Sequence, residues 1–157
     1  MEIRRATEQD IPELARLLLQ VHGVHADGRP DLFKPGARKF TDAELAELLA
    51  DDDTFIFVAA NEDGSLSGHA FCVYEHHAGL HGWQNIDSLH IEDICVDEAA
   101  RGKRIGTALY EHVVAFAREQ GFYNLTLNVW ECNPGARAFY EALGLKPYKT
   151  GMEIVLG

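Results

Sequence analysis

Val96-Asp97-Glu98-Ala99-Ala100-Arg101-Gly102-Lys103-Arg104-Ile105-Gly106-Thr107-Ala108-Leu109 is the stretch that decides the fold. An apolar run from Ile91 to Val96 feeds a short loop with two glycines and three cations. That loop opens into an amphipathic helix, read as Gly106 to Gln120 with Gly121 as its stop. The first N–H groups of a helix have no partner within it, and the macrodipole adds roughly half a positive charge. Strand, basic turn and helix start therefore form a site for an anion such as a phosphate.

Outward from this segment the chain alternates. Glu2 to Ala6 reads as a first strand. Thr7 caps a helix that has Asp10 and Pro12 in its first turn and is read as ending at Gly23. Gly23 to Lys39 reads as a loop pinned by Phe33 and Phe40. Thr41-Asp42-Ala43-Glu44 is a capping box opening a short helix. Thr54 to Ala60 and Leu66 to Glu75 form a hairpin around Asn61-Glu62-Asp63-Gly64. His76 to Asp87 reads as a loop, Ser88 to Val96 as a strand, and Phe122 to Glu131 as another. Asn133-Pro134 starts a helix that Gly144 stops, and Pro147 to Leu156 reads as a last strand. The order β-α-α-β-β-β-α-β-α-β predicts an α/β chain: a mixed sheet, parallel in its second half, with helices on both faces.

The bulk properties bound the function. A chain of 157 residues suits one domain, read as 1–157. The formal net charge is −11, which disfavours nucleic-acid binding and suits a cationic substrate. No apolar run approaches the ~20 residues of a membrane span. Met1 to Arg5 lacks the apolar core of a signal peptide. The three cysteines (Cys72, Cys95, Cys132) show no CxxC spacing, so free thiols in the cytoplasm are expected. The scattered histidines and Asp51-Asp52-Asp53 lack metal-ligand spacing, so no metal is expected.

The basic loop resembles the coenzyme A signature of the GNAT family of N-acetyltransferases, Arg/Gln-x-x-Gly-x-Gly/Ala. Arg101 fits its first position and Gly106 its last, while Arg104 stands where that family has its middle glycine. Asn128 to Leu145, containing Asn133, Ala136, Phe139, Tyr140 and Gly144, resembles the family's Asn-x-x-Ala-x-x-Phe-Tyr-x-x-x-Gly-Phe element. Leu89-His90-Ile91-Glu92-Asp93-Ile94-Cys95-Val96 is similar to the matching strand of diamine and polyamine acetyltransferases.

The resemblance implies a GNAT-type fold whose two central parallel strands splay apart after a bulge. It implies acetyl-CoA as cosubstrate. Ile94, Cys95 and Val96 would then face pantetheine, and Arg101, Gly102, Lys103, Arg104, Ile105, Gly106 and Thr107 the pyrophosphate. Asn133, Ala136 and Tyr140 would lie beside the pantetheine arm and sulfur. Glu92 would be the general base, directly or through water, and Tyr140 the acid to the departing thiolate.

Strand alternation puts His90, Glu92, Ile94 and Val96 on one face and Ile91, Asp93 and Cys95 on the other. Glu92 as base needs burial to raise its pKa or a water to relay the proton. Asp93 reads as structural. The acceptor, a small or peptide amine, would meet His25, Asp27, Phe33, Trp83 and Tyr148. Two functions stay open: acetyl transfer to a primary amine, and a non-catalytic acyl-CoA sensor of the same fold. A homodimer is compatible with the sequence.

Overall fold

The computed structural model describes residues Met1–Gly157. Five strands lie in the order β1 (Glu2–Arg5), β2 (Thr54–Ala60), β3 (Leu66–His76), β4 (Asp87–Val96), β5 (Asn124–Leu127). β1 to β4 pair antiparallel and β4–β5 pair parallel. The mixed sheet expected from the element order is present.

α3 (Ile105–Gln120) covers one face. Leu109, Val113 and Ala117 pack there on Phe57, Ala70, Cys72, Leu89 and Ile91. α1 (Ile11–Gly28) and α2 (Asp42–Ala50) cover the other, with Leu14, Leu17, Leu18 and Leu45 on Ile56, Val58, Phe71 and Cys95. α4 (Pro134–Ala142) has no fully buried residue. The helix starts follow local chemistry. Glu44 and Thr41 exchange side-chain-to-backbone bonds of 3.0 and 3.2 Å. Before α1, the Asp10 carboxylate accepts from the Thr7 N–H at 2.8 Å and from both Arg4 terminal nitrogens at 2.8 and 3.0 Å.

Three expectations are corrected. α1 does not stop at Gly23 but runs to Gly28, so His22 and His25 lie on a helix. Val21 and the buried Ala26 continue its apolar face, and a single glycine in a helix costs only about 1 kcal/mol. β5 covers only Asn124–Leu127 of the longer strand expected there. The last strand is absent: from Lys146 to Gly157 the chain is in no helix or strand.

The face assignment along β4 also changes. Phe71 pairs with Asp93 while the next residue, Cys72, pairs with Ile91, so Glu92 is the extra residue of a bulge. Ile91 and Ile94 consequently both face the α3 side, and Cys95 the α1 side. Simple alternation through Glu92 had put Ile91 and Ile94 on opposite faces.

Candidate functional site

β4 and β5 pair from Ser88↔Asn124 to Ile91↔Leu127 and no further. Beyond the bulge, β4 continues to Val96 with β3 on one edge and nothing on the other. The segment Ile94, Cys95, Val96 thus offers free backbone groups to an extended polar ligand, in the manner of an added strand. Ile94 and Val96 turn their side chains into the α3 core, and Cys95 buries its thiol 3.6 Å from the Leu17 carbonyl. Burial pushes that thiol up to about 12, so it is an inert apolar filler. All three cysteines are free.

The loop after β4 is held from the opposite layer. Arg16 on α1 bonds Asp97 at 3.0 Å and Glu13 at 2.8 Å, and Asp97 also accepts from Gln20 and from the Ala99 N–H. Gly102 and Arg104 both adopt positive φ, at 83° and 60°. Arg104 is the one non-glycine residue of the chain to do so, at the very position where the resembling signature has glycine. The left-handed turn is therefore kept, and the arginine bears the strain. Arg101, Lys103 and Arg104 are exposed and have no ion-pair partner. The first amides of α3 open beneath them, from Ile105 through Gly106 and Thr107. Three unpaired cations over a helix start fit a pyrophosphate.

α4 closes the other side. The Asn133 side chain accepts from the Ala136 N–H at 3.2 Å and so sets the helix start. A Cβ on Gly106 would lie 3.3 Å from Phe139 and 3.4 Å from Val96, so glycine lets α3, α4 and β4 approach there. Phe139 packs edge-on against Tyr140. Burial raises the Tyr140 phenol well above its ordinary value, and the neighbouring Asp93 carboxylate, Cys72 and Tyr110 add to the rise. Tyr140 is thus a firmly neutral O–H.

Two carboxylates converge at the bulge. Glu92 is more than a third exposed and its carboxylate lies 2.9 Å from the Lys39 ammonium. Asp93 is the less exposed of the two, half-buried where Glu92 is exposed. Burial pushes Asp93 up to about 6, with Lys39 opposing the rise and Glu92 adding to it. Lys39 is placed by its neighbour Phe40, whose ring stacks on Phe71 opposite Asp93.

Of the expected acceptor residues, His25 and Phe33 come together at 5.4 Å, and Phe33 also meets His22 and Trp130 edge-on. Burial lowers the His25 pKa, helped by the charges of His22 and Lys39. Asp27 is exposed with no side-chain partner. Trp83 stacks flat on His77 at 3.9 Å in the turn before β4, at the end of that strand remote from Val96. Tyr148 is 63% exposed on the C-terminal segment. The structure does not bring these three to the Phe33 cluster. Lys39 and Trp130 carry no signal in the sequence, because only the folded chain brings them to Glu92 and Phe33. No group of His, Cys, Asp and Glu is arranged to hold a metal ion.

The sequence profile of the Acetyltransferase (GNAT) family matches residues 21–145. Streptothricin acetyltransferase of Streptomyces lavendulae is 39% identical over 94 residues, which are 60% of this chain and 46% of that protein. A probable glucosamine 6-phosphate N-acetyltransferase of Oryza sativa subsp. japonica is 29% identical over 103 residues, 64% of this chain and 59% of that protein. The chain thus spans about half the length of these curated relatives. A crystal structure of a mutant BH1408 protein from Bacillus halodurans superposes with a TM-score of 0.92 at 29% identity, over 99% of both chains. With the splayed strands, the cationic turn and the α4 element in place, the chain belongs to the Acetyltransferase (GNAT) family.

Proposed function

We propose that this chain moves an acetyl group from acetyl-CoA to the primary amine of a small molecule. One observation carries the reading: the gap where β4 leaves β5 runs from the unpaired cations at Arg101–Arg104 to the Glu92, Asp93 and Tyr140 groups. Acetyl-CoA, when bound, supplies an activated thioester. Arg101, Lys103, Arg104 and the α3 amides would hold its pyrophosphate, and Ile94 to Val96 its pantetheine amides.

The amine arrives as an ammonium and must lose a proton before it can attack. The sequence gives that task to Glu92. The geometry favours dividing it. Glu92 already holds a primary ammonium, that of Lys39, and so anchors the substrate's in the same way. Asp93, half-buried beside it, takes the proton. The new N–C bond forms as the C–S bond breaks. The Tyr140 O–H donates to the departing sulfur, its high proton affinity making it a hydrogen-bond donor first and a proton source only as the thiolate leaves. His25, Phe33 and Trp130 give the acceptor an aromatic wall. The named relatives act on amine compounds, which supports a small amine over a peptide.

The test follows free thiol released from acetyl-CoA across polyamines, amino sugars and peptide amines. Release with a small amine supports transfer; binding of acetyl-CoA without release across the panel supports the sensor reading. Asp93→Asn is expected to abolish the acid limb of the kcat profile, and Glu92→Gln to raise the amine KM. The reverse pattern returns the base to Glu92. Tyr140→Phe is expected to lower kcat 10-fold or more with little change in KM; full activity removes Tyr140 from its role.

A further inference from the structure

Lys39 puts a primary amine of the chain itself at the bulge of β4. Its ammonium lies 2.9 Å from Oε2 of Glu92. Glu92 is the extra residue of the bulge, and Ile91 before it makes the last pair between β4 and β5. Lys39 therefore stands where the two strands part, and its charge is felt by Asp93, the next residue along. The chain has five lysines, all exposed, and Lys39 is the one that makes an ion pair. Both partners are substantially exposed, so the pair opens easily.

The segment that carries Lys39 holds it there without secondary structure. Residues 34–40 make no hydrogen bond between backbone groups. Side chains fasten the segment at both ends instead. Before Lys39, His22 Nε2 donates to the Lys34 carbonyl at 2.8 Å, and Phe33 packs against His22, His25 and Trp130. After it, Phe40 stacks on Phe71, and Thr41 caps α2. Phe71 is the β3 partner of Asp93, so the anchor next to Lys39 is in register with the bulge. A stretch with no backbone pairing of its own, pinned at both ends, presents its lysine as a bound peptide would.

We propose that Lys39 is itself an acceptor, acetylated in place by its own chain when acetyl-CoA is bound, a step that rests on the proposed transfer chemistry. The ammonium gives one proton to the Asp93 carboxylate. The Nζ lone pair then forms the N–C bond to the thioester carbonyl as the C–S bond breaks. A second proton leaves the nitrogen as the amide forms and ends on the sulfur by way of the Tyr140 hydroxyl. The products are Nζ-acetylated Lys39, the thiol of coenzyme A and the proton that Asp93 returns to water. Acetylation removes the charge of Lys39 and with it the bond to Glu92. That carboxylate is then free for an incoming ammonium, so the modified chain should show a lower KM for a cationic acceptor than the unmodified one.

Mass spectrometry of the full chain, incubated with acetyl-CoA and no added amine, tests this. One acetyl mass should be gained and should map to Lys39. A positioned base typically contributes about 100-fold or more, so Lys39 should outpace Lys34, Lys103, Lys146 and Lys149 by about that factor. Acetylation spread evenly over the lysines overturns the proposal. Diluting the protein should leave the rate unchanged; a rate that rises in proportion to protein concentration means that another copy supplies the site, and overturns acetylation in place. Acetic anhydride needs no site and serves as the control without cofactor. It should show no preference for Lys39, and a preference there overturns the proposal by placing the selectivity in the amine itself. Asp93→Asn should lose the acetyl-CoA reaction at Lys39 and keep the anhydride pattern; undiminished acetylation of Lys39 overturns the step. Lys39→Arg should gain no acetyl group, and a gain elsewhere at the parent's rate overturns the assignment. Thiol release with a small amine while Lys39 stays unmodified overturns this proposal and leaves the transfer reading standing. No thiol release from any amine, Lys39 included, overturns both.

Discussion

The Lys39 ammonium sits 2.9 Å from the Glu92 carboxylate, across 53 residues of sequence, at the one bulged position of β4. Both side chains are substantially exposed, so the pair is worth at most about 1 kcal/mol. On the proposed function, an arriving substrate ammonium has to compete with it. Lys39→Met should therefore lower the KM for a cationic acceptor by about fivefold or less, that energy converted to a ratio. Acetyl-CoA affinity should not change. Steady-state kinetics with the best amine of the panel checks this; a KM that rises would make Lys39 part of the acceptor site instead of its competitor.

Asp93 gives stability a dependence on pH. Its folded pKa lies above its ordinary 3.8, at about 6. The folded state therefore holds a proton that the unfolded chain has lost between those values. Asp93's contribution is most favourable at and below about pH 4 and is lost as pH rises through 6. A shift of this size corresponds to about 2–3 kcal/mol. Asp93→Asn should accordingly melt higher than the parent at pH 8 and show little gain at pH 4. His69 pulls the other way: it is fully buried with neither ring nitrogen bonded, and burial pushes its pKa down to about 3. Its penalty grows as pH falls below about 6.5, the value at which the unfolded imidazole starts to charge. The comparison is therefore made as variant minus parent at each pH, where His69 cancels. An equal difference at pH 4 and pH 8 would show that Asp93 is not held protonated.

Arg104 couples strain to ligand binding. At φ 60° an L-residue costs about 1 kcal/mol or more over glycine. Arg104→Gly should raise the stability of the free protein by about 0.5–1 kcal/mol once glycine's extra freedom in the unfolded chain is counted. If the guanidinium grips phosphate, the same variant should bind CoA more weakly and with a shallower salt dependence. Denaturant melts and calorimetric titration at two salt concentrations separate the effects. Tighter CoA binding in the variant would mean that the arginine is only tolerated in the turn.

Local chemistry was readable along the chain wherever one element settles it. Thr54–Ala60 is a strand between the limits its residues suggest, Thr41 to Glu44 is the capping box its spacing describes, and Arg104 stands out by identity alone. What was not legible depends on space. Alternation in β4 fails at Glu92 because a bulge is a property of two strands. The α1 boundary is not legible because Gly23 signals a stop, yet a Cβ there would meet nothing within 4 Å and the helix simply passes through. Trp130 joins Phe33, and Lys39 joins Glu92, only when the loop after α1 folds over the sheet. The period of Met152 to Leu156 is that of a strand, but this segment pairs with no strand of its own chain.

Gly68 sets how closely the sheet and α3 approach beneath the Arg101–Arg104 loop. It pairs with Val96, the last residue of β4, and a Cβ built on it would lie 2.7 Å from the Cys95 carbonyl oxygen and 3.0 Å from Leu109. The first of these is backbone and cannot rotate away. Gly68→Ala must therefore move β4 or lift α3, a strain typically costing 1–3 kcal/mol. Because Val96 and α3 together shape the turn proposed to hold pyrophosphate, the displacement should reach the ligand as well. CoA affinity should fall together with the melting temperature, although Gly68 lies on the strand next to the one that carries the turn. Gly82→Ala serves as the control: its φ of 87° strains an alanine, but nothing lies within 4 Å and the turn before β4 is at the end of that strand remote from Val96. It should lower stability and leave CoA affinity unchanged. Equal losses of affinity in the two variants would show that the effect is general destabilisation and not a shift of the β4–α3 junction.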